Sequence, residues 1–167
     1  GEAMWAAVRA AGARIVQMVW DDLKPRDLLT EGAFANAVRA VLAVGGSVNC
    51  IKHLQAVATE AGGGVDVYGL FERLSLETPV LAGVRPVGTH TIEQFDAAGG
   101  CRAVMKQLEP LLDGGARTVS GRTVRESLAG VTVADAAVIR PLADPVARLP
   151  AITLLRGSLA PEIGIVK

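Results

Sequence analysis

The chain has 167 residues, and its 17 basic and 17 acidic side chains balance to a formal net charge of zero. This length suits one domain, or one domain and part of a second. Because no basic excess is present, a nucleic-acid partner is not expected. An apolar fraction of 50% and a mean hydropathy of +0.37 indicate either a large surface that binds a partner or a chain that is part of a larger protein.

Targeting and cysteine patterns point to a cytoplasmic protein. The N-terminal segment carries Glu2 and interspersed arginines in place of the basic start and apolar block of a signal peptide. The uncharged run at 40–51 is too short to cross a bilayer, so no transmembrane helix is expected. Cys50 and Cys101 lie far apart in the sequence, which predicts two separate reduced thiols.

The first predicted element is an amphipathic helix that ends near Asp22. Its apolar positions alternate spacings of three and four residues, which places them on one helical face. They are Trp5, Val8, Gly12, Ile15 and Val19. Lys24 and Pro25 then end the helix, because proline disfavours helical backbone in the residue before it.

Two further helices follow on either side of a diglycine. Thr30 is the predicted N-cap of one, and Ser47 is the predicted cap of the next. The helix after Ser47 has one apolar face, and Gly62 is its predicted left-handed C-cap. That face consists of Cys50, Ile51, Leu54, Ala58 and Ala61.

The remaining elements are shorter. Further helices are predicted at 68–77, 92–98, 102–112 and 123–128, with a short buried strand at 79–82 leading into the turn 85–88. After residue 129 the sequence changes to short β-branched runs divided by prolines, at 131–133, 137–140, 152–156 and 163–166. We therefore divide the chain into residues 1–129 and a β-rich segment, 130–167.

Four blocks of the chain carry a family resemblance. In order they read DDLKPRDLLTEGAFANAVRAVLAVGGSVNCIKHLQAVATEAG, PVLAGVRPVGTHTIEQFDAAGGCRAVMKQL, TVSGRTVRESLAG, and VIRPLADP followed by LLRGSLAPEIGIVK. Together they resemble the dihydroxy-acid dehydratase and phosphogluconate dehydratase family, which includes sugar-acid dehydratases. The most specific parts are the GGSVN element before His53 and the RGSLAPEIGIVK segment.

This resemblance implies a fold and an activity. The implied fold class is α/β, with helices packed on a small, mostly parallel sheet, followed by the first strands of a barrel-like β domain. The implied reaction removes water from a 2,3-dihydroxy acid or sugar acid and gives a 2-keto acid. In such enzymes an iron–sulfur cluster acts as Lewis acid on the leaving hydroxyl, magnesium holds the carboxylate end and a serine abstracts the proton. A small hydroxy-acid substrate and a homodimer or homotetramer are the implied partners, without nucleic acid or membrane.

The resemblance also implies where the reactive groups lie. The family's cluster cysteines and most magnesium ligands belong before Gly1, and its base serine and last metal carboxylate belong after Lys167. No catalytic or metal-binding residue is therefore assigned here, and neither cofactor is expected in this part of the chain. The sequence departs from the family pattern at Val48, Cys50, Ser158 and 148–150.

The substrate-proximal candidates are Gly45, Gly46, Ser47 and Asn49. Glycines allow close approach, and a helix N-terminus carries partial positive charge, so this element suits a carboxylate or phosphate. A diglycine before a serine cap equally forms an ordinary corner between two helices. Both interpretations stay open from sequence alone.

Two rival functions come from other classes. The first is a non-catalytic structural or interaction module. The second is a small thiol-dependent enzyme that uses Cys50, near a helix N-terminus, and His53, one turn later. Against it, Cys50 lies on the apolar face, where a cysteine usually acts as a small hydrophobe.

The other polar groups have structural interpretations. Asp21 and Asp22 are adjacent in a helix and point about 100 degrees apart, so a shared proton or ion is not expected. A metal face formed by His90, Glu93 and Asp96 lacks a fourth ligand.

Three more residues complete the candidates. Cys101 is interpreted as a core residue. Arg140 and Arg156 are each expected to form an ion pair that fixes the β-rich segment to the rest, with carboxylate binding as the alternative.

Overall fold

The computed structural model describes all residues, 1–167. Eight α-helices are followed by a two-stranded sheet. The helices are α1 (Glu2–Trp20), α2 (Pro25–Leu28), α3 (Glu31–Ala43), α4 (Asn49–Ala61), α5 (Val67–Ser75), α6 (Ile92–Ala97), α7 (Gly100–Gln107) and α8 (Val124–Leu128). A 3-10 turn spans Glu109–Leu111, and the strands are β1 (Thr153–Gly157) and β2 (Ala160–Val166).

The predicted helix ends agree closely with the observed ones. The Thr30 hydroxyl accepts a hydrogen bond from the Ala33 amide at 3.3 Å and so begins α3. Gly62 ends α4 in the left-handed conformation, with φ of 75°. Ser47 departs from its prediction, because Val48 is the N-cap of α4 and makes no side-chain cap. The Ser47 hydroxyl instead accepts from the nearby Asn49 amide at 3.2 Å.

Helix α3 lies at the centre of the packing and contributes to two apolar cores. In the first, its residues Phe34, Val38 and Leu42 pack with α4, α5 and Ile152. In the second, Ala43 at the end of α3 packs with α6, α7 and the segment around Leu81. A smaller cluster at α8 extends this packing. The position of α3 therefore fixes the ends of the helices on both of its sides.

Residues 79–84 form an extended and largely buried segment rather than a regular strand. The Leu81 and Ala82 amides both donate to the Ala43 carbonyl, at 2.7 and 3.2 Å. Only isolated bridges pair the segment with others, one of them between Val80 and Ala147. The predicted burial is thus confirmed, but the hydrogen bonds go to a helix end and to loops.

The loop that follows closes on itself. The His90 amide donates to the Gly83 carbonyl at 3.2 Å, and the Arg85 amide donates to the His90 carbonyl at 2.9 Å. A Cβ atom at Gly88 would overlap the Gly83 backbone, so the two chain segments cross in direct backbone contact. Only glycine permits this approach.

The C-terminal sheet is a hairpin that packs on the helices. Strand β1 pairs antiparallel with β2, from Thr153 opposite Val166 to Gly157 opposite Ala160, with an irregularity after Leu155. Both strands agree with the predicted runs at 152–156 and 163–166.

The mixed α and β class is confirmed, but the sheet differs from the expected one. It has two antiparallel strands, and no parallel sheet lies beneath the helices. The predicted strands at 131–133 and 137–140 are turns and loop. Val138 and Ile139 are buried in the second core without strand pairing, and the Arg140 amide donates to the Leu81 carbonyl at 2.8 Å. The division at residue 129 stays a prediction.

Helix α1 is the longest helix, yet none of its residues is buried. It is joined to the body mainly through Arg14, whose Nε donates to the Val119 carbonyl at 2.5 Å. Met18, on the same side, is half-buried. Neither α1 nor any other helix combines the length and apolarity that crossing a bilayer requires.

Candidate functional site

The GGSVN element forms the turn between α3 and α4. Gly45 adopts a φ of +54°, which ordinary side chains rarely tolerate. The Gly46 amide donates to the Val41 carbonyl at 2.8 Å and ends α3. A Cβ at Gly45 would lie 3.1 Å from Val87 Cγ1 and 3.4 Å from Ala151 Cβ. The turn is therefore held against the loop at 83–90 and the segment before β1.

This turn lines one side of a groove of about 510 Å³. Its other walls come from four separate parts of the chain. Alongside Val44, Gly45, Gly46, Ser47 and Val48, the lining residues are Val84, Arg85, Pro86, Ile92, Phe95, Cys101 and Lys167. The fold therefore brings residues distant in sequence to the diglycine turn.

The groove has a distinct electrostatic character. Arg85 and Lys167 are its only charged side chains, and both are positive. The Arg85 Nε donates to the Thr89 carbonyl at 3.1 Å, which orients the guanidinium. No aspartate, glutamate or histidine lines the groove, so its side chains include no obvious general base. This arrangement favours binding of an anionic group rather than proton transfer.

The four predicted substrate-proximal residues do not share one location. Gly45, Gly46 and Ser47 line the groove, whereas Asn49 is exposed and is not part of the lining. Whether any of them contacts a substrate stays a prediction. A second cavity, of about 420 Å³, lies by Asp66, whose carboxylate is engaged in capping the Gly69 amide at 3.0 Å.

The two cysteines occupy different surroundings. Cys50 is half-buried on α4 and does not line the groove, and His53 on the same helix is exposed. Cys101 is exposed on the first turn of α7 and lines the groove, so its interpretation as a core residue was wrong. Gly100 immediately before it is buried, with a φ of 56°.

No metal centre is formed by these residues. His, Cys, Asp and Glu side chains do not form any group of three or more that could hold a metal ion. His90, Glu93 and Asp96 therefore do not form the metal face considered above. The pKa of Glu93 is lowered by hydrogen bonds from its own backbone amide and from Thr91 at the start of α6. The Glu93 carboxylate is therefore engaged in hydrogen bonds at the N-terminus of α6.

Asp21 and Asp22 form separate contacts, and they lie in the turn after α1 rather than in the helix, with Asp22 at a φ of 50°. Asp21 accepts from Gln17 at 2.8 Å and from Arg14 at 2.9 Å, and these hydrogen bonds lower its pKa. Asp22 pairs with Lys24 at 3.0 Å. The two carboxylates therefore share no ligand.

The arginine predictions have different outcomes. Arg156 on β1 pairs with Glu72 on α5 at 2.8 Å, which confirms an ion pair between the hairpin and the helices. Arg140 instead pairs with Asp144 in its own segment, so its predicted role between regions was wrong. The ion pair between Arg140 and Asp144 spans four residues and stabilises a local turn.

Sequence reasoning did not find most of the groove. Arg85, Phe95 and Lys167 were not singled out, although Arg85 stands in the predicted turn at 85–88 and Lys167 ends the last resembling block. The sequence does contain two hints. Arg85 lies in a predicted turn, Lys167 follows the last predicted strand, and both lie within the blocks that resemble the family. Periodicity alone does not reveal that they meet.

Comparisons with known proteins agree with these blocks. Residues 2–127 match the family model described as dihydroxy-acid/6-phosphogluconate dehydratase N-terminal. Over 95% of its length the chain is 46% identical to a dihydroxy-acid dehydratase of Trichlorobacter lovleyi, covering 28% of that protein. The corresponding enzymes of Syntrophobacter fumaroxidans and Methanothermobacter thermautotrophicus are 44% and 42% identical, again over 95% of the chain and 29% of each relative.

The matched residues cover most of the groove, although Lys167 lies outside the family model. They include the diglycine turn, the loop at 83–90 and α6 to α7, all of which lie inside the matched residues. The chain spans little more than a quarter of the length of these relatives. With the family model covering three quarters of its residues, the chain belongs to the dihydroxy-acid/6-phosphogluconate dehydratase family.

Proposed function

We propose that this chain is part of a hydro-lyase that dehydrates a 2,3-dihydroxy acid or sugar acid to a 2-keto acid. The groove beside the diglycine turn binds an anionic group of that substrate. The single observation that carries this assignment is the placement of Arg85 and Lys167, the only charged lining residues, next to Gly45 and Gly46 in a family of dehydratases.

The reaction sets the requirements for the site. A proton leaves the carbon next to the carboxylate, the hydroxyl leaves the neighbouring carbon as water, and the resulting enol becomes a 2-keto acid. Positive charge near the carboxylate stabilises the negative charge that develops when the proton is removed. Arg85 and Lys167 supply such charge.

The residues of this chain do not fit an iron–sulfur cluster or a magnesium site. Such a cluster is held by several cysteine thiolates, and Cys50 and Cys101 lie in different surroundings. No group of three or more potential metal ligands is formed. We propose that any such cofactor is held by other residues of the whole enzyme, and the groove described here binds and orients substrate.

A direct test compares the long family enzyme that contains this sequence with the 167-residue chain. Both are purified without oxygen and assayed on a panel of dihydroxy and sugar acids, with 2-keto acid as the readout. We expect activity in the long enzyme and none in the 167-residue chain. Activity in the short chain alone would overturn the proposal and would redirect attention to Cys50 and His53.

The groove itself is tested by substitution in the long enzyme. Replacing Arg85 with Ala removes a charged contact to the substrate, so KM should rise about 10-fold or more. The matched control is Arg9→Ala, because Arg9 is exposed on α1 and lies outside the groove. Equal KM values for the two variants would contradict substrate binding in the groove.

A further inference from the structure

Helix α3 carries a buried cation that the proposed function does not use. Arg39 is only 8% exposed. Its Nη1 donates to the Thr78 hydroxyl oxygen at 3.0 Å, and its Nη2 donates to the Glu77 carboxylate at 2.7 Å. The Thr78 side chain is itself buried, whereas Glu77 reaches solvent. Arg39 therefore ties α3 to the two residues that precede the extended segment 79–84.

Stability alone does not account for this contact. Taking a charged guanidinium out of water is costly, and a buried ion pair often contributes no more than well-packed apolar residues of the same volume. A planar guanidinium with two partners does restrict geometry, because it fixes both the distance and the angle between the elements that it joins. We therefore expect Arg39 to determine where residues 77–78 lie along α3.

Both walls of the groove are attached to the same end of α3. One turn after Arg39, the Ala43 carbonyl accepts two amides of the extended segment, at 2.7 and 3.2 Å, so residues 77–82 are tied to α3 at two successive points. Directly after Ala43 the chain enters the diglycine turn, which is one wall. Three positions after residue 82, Arg85 lies in the other wall.

We propose that Arg39 is a positioning residue for substrate binding, because it fixes the extended segment along α3 and so sets the distance between Arg85 and the diglycine turn. This inference rests on the proposed function of the groove. Arg39 does not line the groove, so it acts through the loop at 83–90. In that loop Gly83 and Gly88 are in direct backbone contact, and the closed loop passes a shift of the segment on to Arg85.

The test measures the substrate KM of the long family enzyme that contains this sequence. Arg39→Met keeps an unbranched side chain and removes both hydrogen bonds. KM should rise about 3-fold or more, because a displacement of about 1 Å at a substrate contact has effects of up to about 100-fold. In an Arg85→Ala background the same substitution should change KM by less than about 2-fold, since the group that it positions is absent. A role in stability alone gives no such dependence on Arg85.

Asn36→Leu is the matched control. Asn36 is a buried polar residue of the same helix, but it binds Asp113, which lies outside the groove. This variant should lower the melting temperature and leave KM unchanged, which separates loss of stability from loss of positioning.

Two further variants keep the inference testable if Arg39→Met does not fold. Thr78→Val removes one acceptor and keeps the shape of the side chain, so KM should rise in the same direction by a smaller factor. Arg39→Lys keeps the charge but lacks the planar fork, so it should recover only part of the loss in Arg39→Met.

Three results would overturn the inference. The first is an unchanged KM in both Arg39→Met and Thr78→Val. The second is an equal rise in KM from Arg39→Met with and without Arg85, and the third is a rise in Asn36→Leu that matches the one in Arg39→Met. Failure of the proposed function is distinct, because it appears as an unchanged KM in Arg85→Ala alone.

Discussion

Helices α1 and α3 have the same kind of apolar periodicity and opposite surroundings. In α3, Phe34, Val38 and Leu42 are 3%, 0% and 0% exposed, whereas in α1, Trp5 and Val8 are more than half exposed. The difference shows that spacing determines which face of a helix is apolar, while the surrounding chain determines whether that face is covered. An apolar side chain therefore contributes very differently to the free energy of unfolding in the two helices.

The largest contrast should come from aromatic truncation. Phe71 on α5 is fully buried in the first core, so Phe71→Ala should lower the free energy of unfolding by about 3–5 kcal/mol. Trp20→Ala removes a larger side chain that is 80% exposed, and at low protein concentration its effect should stay within about 0.5 kcal/mol. Urea denaturation followed by circular dichroism measures both. Similar losses would mean that α1 is packed against the body in solution.

A second contrast concerns polar contacts. The Asn36 side chain on α3 donates to the Asp113 carbonyl at 2.9 Å and accepts from the Asp113 amide at 2.8 Å. Asn36→Leu leaves both backbone groups unpaired and should cost about 1–3 kcal/mol. On α1, Gln17 donates to Asp21 in an exposed setting, so Gln17→Leu should change stability by less than about 0.5 kcal/mol. Equal thermal shifts for the two variants would contradict this difference.

Two glycines should respond to alanine with opposite signs. Gly45→Ala places a side chain at φ of +54°, 3.1 Å from Val87 Cγ1, and should destabilise the chain by about 1–2 kcal/mol. Gly12→Ala replaces a poor helix former in an open position of α1 and should stabilise that helix by about 0.5–1 kcal/mol. Thermal unfolding at low protein concentration tests both. If both variants are stabilised, or both are destabilised, the assignment of strain to the diglycine turn is wrong.

The smallest effect is a pH dependence. The Thr123 backbone amide, at the start of α8, donates to the Glu126 carboxylate and lowers its pKa below the ordinary 4.5. A lowered pKa in the folded state adds stability that is present above the unfolded pKa and is lost as pH falls through the folded value. Glu126→Gln should therefore reduce the loss of stability on acidification below about pH 4.5.

Asp21 provides the comparison for this effect, because its pKa is also lowered, first by Gln17 and then by Arg14. Since α1 is joined to the body mainly through Arg14, we expect its end to open before the core unfolds. Asp21→Asn should then leave the acid dependence of global unfolding nearly unchanged. An equal effect of Asp21→Asn and Glu126→Gln would show that α1 unfolds together with the core.

The sequence predicts the helices well because their signals are local. Apolar spacing and capping residues such as Thr30 and Gly62 act within one or two turns, so they can be read without the rest of the fold. The runs at 131–133 and 137–140 contain more β-branched residues than β1. They remain turns because their backbone groups find partners in loops, as Arg140 does with Leu81. A short apolar run does not reveal which partner it will have.

Only part of the groove could be predicted from the sequence. Its diglycine turn is visible in the sequence because a left-handed backbone needs glycine. Arg85, Cys101 and Lys167 enter only through contacts between distant segments, which no local pattern encodes. Cys101 lies at the start of α7, where its exposure depends on which distant segments approach the helix, and the residue type alone predicted the wrong environment.

The crossing of Gly83 and Gly88 has a practical consequence for altering selectivity. The wall of the groove that carries Arg85 is held by two backbones in contact, with no side chain between them that could be trimmed or enlarged. Substitutions at Gly83 or Gly88 therefore cannot shift the backbone of this wall by small steps. Attempts to admit a differently shaped acid should instead vary another lining residue, Ile92, which is 62% exposed and tolerates ordinary changes of side-chain volume.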